Sequence, residues 1–211
     1  FNRKLSSIKT KNEGCIMDIQ NKNRKLLKKN HVYHETMEHD ACGVGLVAST
    51  EGLKSRKVVE YGIEALKAVW HRGAIDADGK TGDGAGIHIE IPNDFFAEKI
   101  EITGHEHDNS DLCVGMIFLP RNDFGGQEQC RSIVESELTK KNFNIYGWRQ
   151  VPVDPSVLGE KAEQTRPEIT QVLFTHNDKS IHGKDLERAL YETRRKIEKE
   201  ALRNQLNNFY I

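Results

Sequence analysis

The apolar residues of this chain fall into short dense runs and longer spaced stripes, and the first 41 residues show no periodicity of either kind. Gly43–Ser49 (GVGLVAS) is an apolar run bounded by glycine and by Thr50-Glu51-Gly52, which predicts a buried strand and a turn. Val58, Val59, Ile63, Leu66 and Val69 or Trp70 recur at helical spacing and predict a helix ending near His71-Arg72-Gly73. Ala85–Ile91 alternates apolar with polar, the signature of a half-buried strand, and Pro92 ends it. A short helical turn is expected to begin at Asp94-Phe95-Phe96, and residues 103–111 read as loop. Cys113–Leu119 is a second buried strand, stopped by Pro120. Cys130, Ile133, Val134 and Leu138 mark a helix across 127–141, Asn144–Val151 is strand-like, and a proline-containing loop follows through Pro155. Ile169–Thr175 is a further strand, and Leu186, Leu190, Ile197 and Ala201 lie on one face of a long charged helix. Phe209-Tyr210-Ile211 begins another apolar run. Strands and helices interleave, so an α+β or layered α/β domain is expected.

Composition changes this picture in two places. Hydrophobic residues make up 36% and charged residues 30% of 211, polar but within the range of a globular fold. The net charge is −1, which points neither to nucleic acid nor to an acidic membrane, and no apolar run is long enough to span a bilayer. The charge is unevenly spread: residues 1–41 hold nine Lys or Arg against five Asp or Glu. That segment reads as a leader outside the folded domain, too polar to offset the entropy of ordering it, with Met17 a plausible true start. Its cluster Lys22, Arg24, Lys25, Lys28 and Lys29 would suit a nucleic-acid or localisation signal, but a solvated segment is the plainer reading. Cys15, Cys42, Cys113 and Cys130 lie far apart with no CxxC pair, which argues against a zinc ribbon or a disulfide scaffold and suits a reducing cytoplasm.

Three stretches carry candidate chemistry. Cys42, in Asp40-Ala41-Cys42-Gly43-Val44-Gly45, stands at the start of the first apolar run. A lone cysteine beside a strand is ordinarily a small core residue. Here the preceding chain looks disposable, and Gly43 and Gly45 leave room for a substrate at the backbone. Cutting the Ala41–Cys42 bond would create an α-amine with a pKa near ~8, close to that of the thiol and able to take its proton. The second stretch is Trp70-His71-Arg72-Gly73-Ala74, in which Arg72 is a fixed cation for structure or for a substrate carboxylate, and His71 an orienting hydrogen-bond partner. The third is Asp76 to Gly86, with four glycines between Gly79 and Gly86. Phosphate loops run from a strand into a helix, whereas this one leads towards a strand. A tight loop lining a pocket, or a hairpin-type turn using Asp-Gly twice, fits better. His105, His107 and Asp108 read as loop residues rather than metal ligands, and Cys113 and Cys130 as core.

Taken together and in order, residues 40–48 (DACGVGLVA), 68–74 (AVWHRGA) and 77–87 (ADGKTGDGAGI) closely resemble the amino-terminal class-II glutamine amidotransferase region of glutamate synthase large chains. Tyr146-Gly147-Trp148-Arg149, Val157-Leu158-Gly159 and the helix at 186–202 are similar to the same region. The resemblance implies the four-layer αββα fold of amino-terminal nucleophile hydrolases, with two sheets between helices. It divides the chain into a leader, 1–41, and the first part of an amidotransferase domain, 42–211. It implies that Cys42 attacks the side-chain amide of L-glutamine, forms a glutamyl thioester and releases ammonia. Gly43, Arg72, Thr81, Gly82 and Asp83 become pocket candidates, with Arg72 holding the catalytic end of the chain. For the full-length enzyme it implies reductive amination of 2-oxoglutarate with FMN, an iron–sulfur cluster and a small electron-transfer subunit, in the cytoplasm. No cofactor, metal, nucleic acid or membrane is expected at the stretch in hand.

The sequence departs from that family in its later part. It has no Asn-Gly pair for the oxyanion hole, no Arg-Phe-Ser-Thr stretch, and no flavin or cluster region. The expectation is a fold incomplete at its C-terminus, poorly soluble and inactive alone, since losing one oxyanion donor typically costs ~100–1,000-fold in rate. A competing reading is a non-catalytic module that holds a nucleotide phosphate on the Gly79–Gly86 loop. The Thr-Gly-Asp-Gly-Ala-Gly stretch weighs against amidotransferases that act on a sugar phosphate or aspartate.

Overall fold

A computed structural model of the chain describes residues 22, 25, 26, 29, 43–69, 73, 75–82, 84–106 and 111–211. The chain divides into two units, Phe1–Val44 and Gly45–Ile211. In the first, Lys22, Lys25, Leu26 and Lys29 are helical and exposed.

The second unit is built on a three-stranded antiparallel sheet in the order β1-β3-β2, from β1 (Leu112–Leu119), β2 (Phe143–Gln150) and β3 (Glu168–His176). The central strand β3 is buried along six consecutive residues, Thr170–Thr175, because both of its faces are covered. On one face, Cys113, Ile117, Leu119, Phe143, Val172 and Phe174 pack with two long helices, α3 (Phe124–Lys140) and α5 (Gly183–Arg203). Their contributions are Cys130, Val134 and Leu138 from α3 and Leu186 and Ile197 from α5. Complete burial of a side chain such as Ile117 or Leu119 contributes about 1.5–3 kcal/mol. On the other face, Leu112, Tyr146 and Leu173 meet Phe96 and Ile100 of α2 (Asn93–Ile102). That helix covers only part of the face, and Met116 remains 41% exposed.

Local chemistry explains where these elements begin and turn. Asp123 caps α3, its carboxylate accepting the Gly126 N–H at 2.9 Å. Buried Gln127 donates from its side-chain amide to the Pro120 and Arg121 carbonyls, at 2.9 and 3.2 Å, and so ties the end of β1 to the start of α3. A β-bulge interrupts β2 between Ile145 and Gly147. Gly147 has φ +151°, and a Cβ there would meet Thr103 Cγ2 at 3.1 Å. The bulge sends Tyr146 into the α2 cluster while Ile145 and Trp148 stay packed against the larger core.

The expectations for β1, α3, β2, β3 and α5 hold to within a few residues. The turn expected at Asp94 is a ten-residue helix, α2. Two expected strands are corrected. Gly43–Ser49 has no strand pairing, and Val44 and Leu46 are 92% and 91% exposed. Ala85–Ile91 is likewise unpaired, with Ile87 and Ile89 exposed. An apolar run becomes a strand only when its backbone groups find a ladder, and among the described residues none reaches these two. The expected amphipathic helix is α1 (Arg56–Ala68), capped by Ser55. It stops before His71, and its apolar residues Val58, Val59, Ile63 and Leu66 are half-buried rather than buried. Tyr210 exchanges both backbone hydrogen bonds with Phe118, at 2.9 and 3.0 Å, extending the pairing on the outer side of β1. The architecture is α+β.

Candidate functional site

Between α1 and α2 the chain makes one well-knit feature, the turn spanning Ile75–Gly82. Ile75 and Gly82 form an isolated antiparallel bridge, and the Asp76 N–H donates to the Thr81 carbonyl at 2.8 Å. Gly79 closes the turn with φ +69°, a conformation that favours glycine, and its N–H donates to the Asp76 carbonyl at 2.9 Å. Asp78 sits inside. Its carboxylate accepts the Thr81 N–H at 2.7 Å, the Lys80 N–H at 2.9 Å and the Thr81 hydroxyl. These bonds, that from the Thr81 hydroxyl foremost, hold the Asp78 carboxyl far below the ordinary carboxylate range. The first Asp-Gly of the hairpin-type reading, Asp78-Gly79, forms such a turn, while Asp83 of the second lies outside the described residues.

The same bonds correct the phosphate-loop alternative. A phosphate cradle needs free backbone donors, and here Lys80 N–H and Thr81 N–H already serve a carboxylate of the loop itself. That carboxylate carries the charge a phosphate would have to approach.

The turn is held from outside by residues that periodicity does not reveal. Gly159 precedes a short helix, α4 (Glu160–Thr165). The Lys161 ammonium donates to the Asp76 carboxylate at 2.7 Å. Glu163 of α4 accepts from Arg121, just after β1, and from the Arg166 Nε at 2.8 Å. Its carboxyl is lowered, by Arg166 first and Arg121 after. A chain of contacts thus runs from the glycine-rich turn through α4 to the end of the sheet.

Of the expected site residues, Thr81 and Gly82 are brought together in the turn, Thr81 half-buried and Gly82 exposed. Gly43 is exposed. Cys42, Arg72 and Asp83 lie outside the described residues, as do His71, His107 and Asp108. His105 pairs through its ring with the Thr103 hydroxyl at 3.0 Å and meets Tyr146 edge-on. Among the described residues no group of three or more His, Cys, Asp or Glu is arranged to hold a metal. Cys113 and Cys130 are buried free thiols, pushed up by burial to about 12 and about 11. Both are enclosed in the core, Cys113 on β1 and Cys130 on α3. α4 left no periodic signal because its six residues, five polar and one alanine, show no apolar stripe. The Asp-x-x-Thr spacing within the turn was the available signal for Asp78, as an Asx-type turn organiser.

Comparison with known proteins decides what the motifs belong to. The model of the class-II glutamine amidotransferases matches residues 42–211. The chain belongs to that family. The match to this class-II amidotransferase begins at Cys42 and includes the whole glycine-rich turn. The chain is 52% identical over 181 residues to the glutamate synthase [NADPH] large chain of Azospirillum brasilense, covering 86% of this chain and 12% of that one. It is 38% identical over 163 residues to ferredoxin-dependent glutamate synthase 2, chloroplastic, of Arabidopsis thaliana, covering 77% and 10%. With ferredoxin-dependent glutamate synthase 2 of a Synechocystis strain it shares 37% over 175 residues, covering 82% and 11%. The chain thus spans about a tenth of the length of the curated relatives it matches. No helix among the described residues is long and apolar enough to cross a membrane.

Proposed function

We propose that this chain is the glutaminase portion of a glutamate synthase, with Cys42 as the amino-terminal nucleophile. The reading rests on one observation above all: the family match starts at Cys42, and the similarity to a glutamate synthase large chain is 52% across most of the sequence. After cleavage of the Ala41–Cys42 bond, the freed α-amine takes the proton of the Cys42 thiol. The thiolate attacks the side-chain carbonyl carbon of L-glutamine. The amide nitrogen accepts a proton and leaves as ammonia, and a glutamyl thioester remains. Water adds to the thioester carbonyl, the C–S bond breaks, glutamate departs and the thiol is restored.

Gly43 leaves space beside the nucleophile, Arg72 is the cation that holds the catalytic end of the chain, and Thr81, Gly82 and Asp83 line the glutamine pocket. The ammonia serves reductive amination of 2-oxoglutarate. FMN, an iron–sulfur cluster and an electron-transfer partner belong, in this proposal, to parts of the synthase other than the residues described here. The fold is the four-layer αββα arrangement, with a second sheet stacked on the face of β1 that α2 leaves partly open. The compartment is the cytoplasm.

The test is Cys42→Ala in the full-length protein. It abolishes glutamine-dependent glutamate formation and leaves ammonia-dependent formation intact. Retained glutamine-dependent turnover would sink the proposal.

A further inference from the structure

Gly159 has φ −76° and ψ 162°, an extended conformation open to every residue. Backbone freedom is therefore not the reason for a glycine here. The reason is space. A Cβ at this position would lie 2.2 Å from Thr81 Oγ1, 2.4 Å from Asp78 Oδ2 and 2.5 Å from the Thr81 backbone nitrogen. The first two atoms belong to short side chains tied to each other, and the third to the main chain, so none can yield without moving the turn.

We infer that Gly159 is a positioning residue for the amidotransferase reaction: its bare Cα lets α4 seat the Asp78–Thr81 turn and thereby fixes the height of Thr81 and Gly82 in the glutamine pocket. The inference rests on the proposed function above. Three contacts make α4 a strut rather than a chance neighbour. Lys161 grips Asp76 at one end of the turn, Gly159 abuts Asp78 and Thr81 at the other, and the Glu163–Arg121 pair anchors the helix to the end of β1. A methyl group at 159 pushes on Thr81 at its backbone nitrogen, so the displacement reaches Gly82 through the main chain. Neither Gly159 nor Lys161 touches the reacting atoms; both act through the turn.

The experiment uses the full-length enzyme and compares Gly159→Ala with Cys42→Ala and the parent. A misplacement of about 1 Å in a positioning element costs about 100-fold, so Gly159→Ala lowers glutamine-dependent kcat/KM by about that factor while ammonia-dependent turnover stays at the parental rate. A general structural role would lower both activities. Glutamine-dependent kcat/KM within about twofold of the parent would overturn the inference. If Gly159→Ala also loses ammonia-dependent turnover, Asp78→Ala decides instead. It adds no bulk and removes the carboxylate that accepts the Thr81 N–H, the Lys80 N–H and the Thr81 hydroxyl, and it must lower the glutamine reaction selectively by about tenfold or more. Parental behaviour of Asp78→Ala, or loss of both activities in both variants, overturns the inference. The Cys42→Ala arm separates the two failures. If Cys42→Ala keeps glutamine turnover, the amidotransferase reading falls. If it loses that turnover and Gly159→Ala does not, the positioning role alone falls.

Discussion

Residues 43–91 and residues 112–211 carry apolar runs of similar density, yet they use them differently. Ile117 and Leu119 in β1 are fully buried, with β3 beside them and two helices beneath. Leu46, in an equally apolar run, is 91% exposed, and Ile87 and Ile89 in a regular alternation are nearly half exposed. The difference lies in partners rather than composition. A strand residue is stabilised by a ladder on each side and a layer on each face, and only the later region offers both. Outside the helix α1, the earlier region is ordered instead by polar bonds within one turn, with Asp78 at its centre. Hydrophobic pattern thus locates the framework, while side-chain hydrogen bonds shape the stretch that carries the family's motifs.

The largest effect that could break this contrast comes from a matched pair of truncations. Ile117→Ala lowers stability by about 2–5 kcal/mol in urea unfolding, through lost burial and a residual cavity, whereas Leu46→Ala in the same assay changes it by no more than about 0.5 kcal/mol. Equal losses would mean that Leu46 has a packing partner as close as that of Ile117.

A smaller, local effect concerns the turn. The folded-state carboxyl of Asp78 lies below its unfolded value of about 3.9, so the stability it contributes is present above that pH and is lost as pH falls from there towards the folded value. A carboxylate titration by carbon NMR on aspartate-labelled protein is expected to find Asp78 still ionised where unperturbed aspartates are half-protonated. A midpoint near 4 would show that the Thr81 hydroxyl and the two N–H groups do not hold it.

Much of the framework was legible because burial leaves a period. Cys130, Val134 and Leu138 in α3, and Leu186 and Ile197 in α5, sit at helical spacing because one face of each helix meets the sheet. The bulge at Tyr146 was not legible as such, although a glycine inside a strand pattern, Gly147, was its trace. The strands expected at 43–49 and 85–91 failed because periodicity reports which residues prefer burial and not whether a ladder is there to receive them. The site divides in the same way. Cys42, Arg72 and the glycine-rich stretch stood out by residue type and order, and the family match from residue 42 agrees with that resemblance. Gly159 stood out only as part of the Val157-Leu158-Gly159 resemblance and Lys161 not at all, because their role depends on a contact across about 80 residues of chain that no local pattern encodes.

The central claim is that the chain's chemistry begins at Cys42 with a free α-amine. Intact-mass and amino-terminal peptide analysis of the active full-length enzyme tests it most directly. The account predicts a mature chain whose first residue is Cys42, with its thiol taken up by a glutamine-like electrophile. Full glutaminase activity in a protein that still carries Ala41 joined to Cys42 would contradict it.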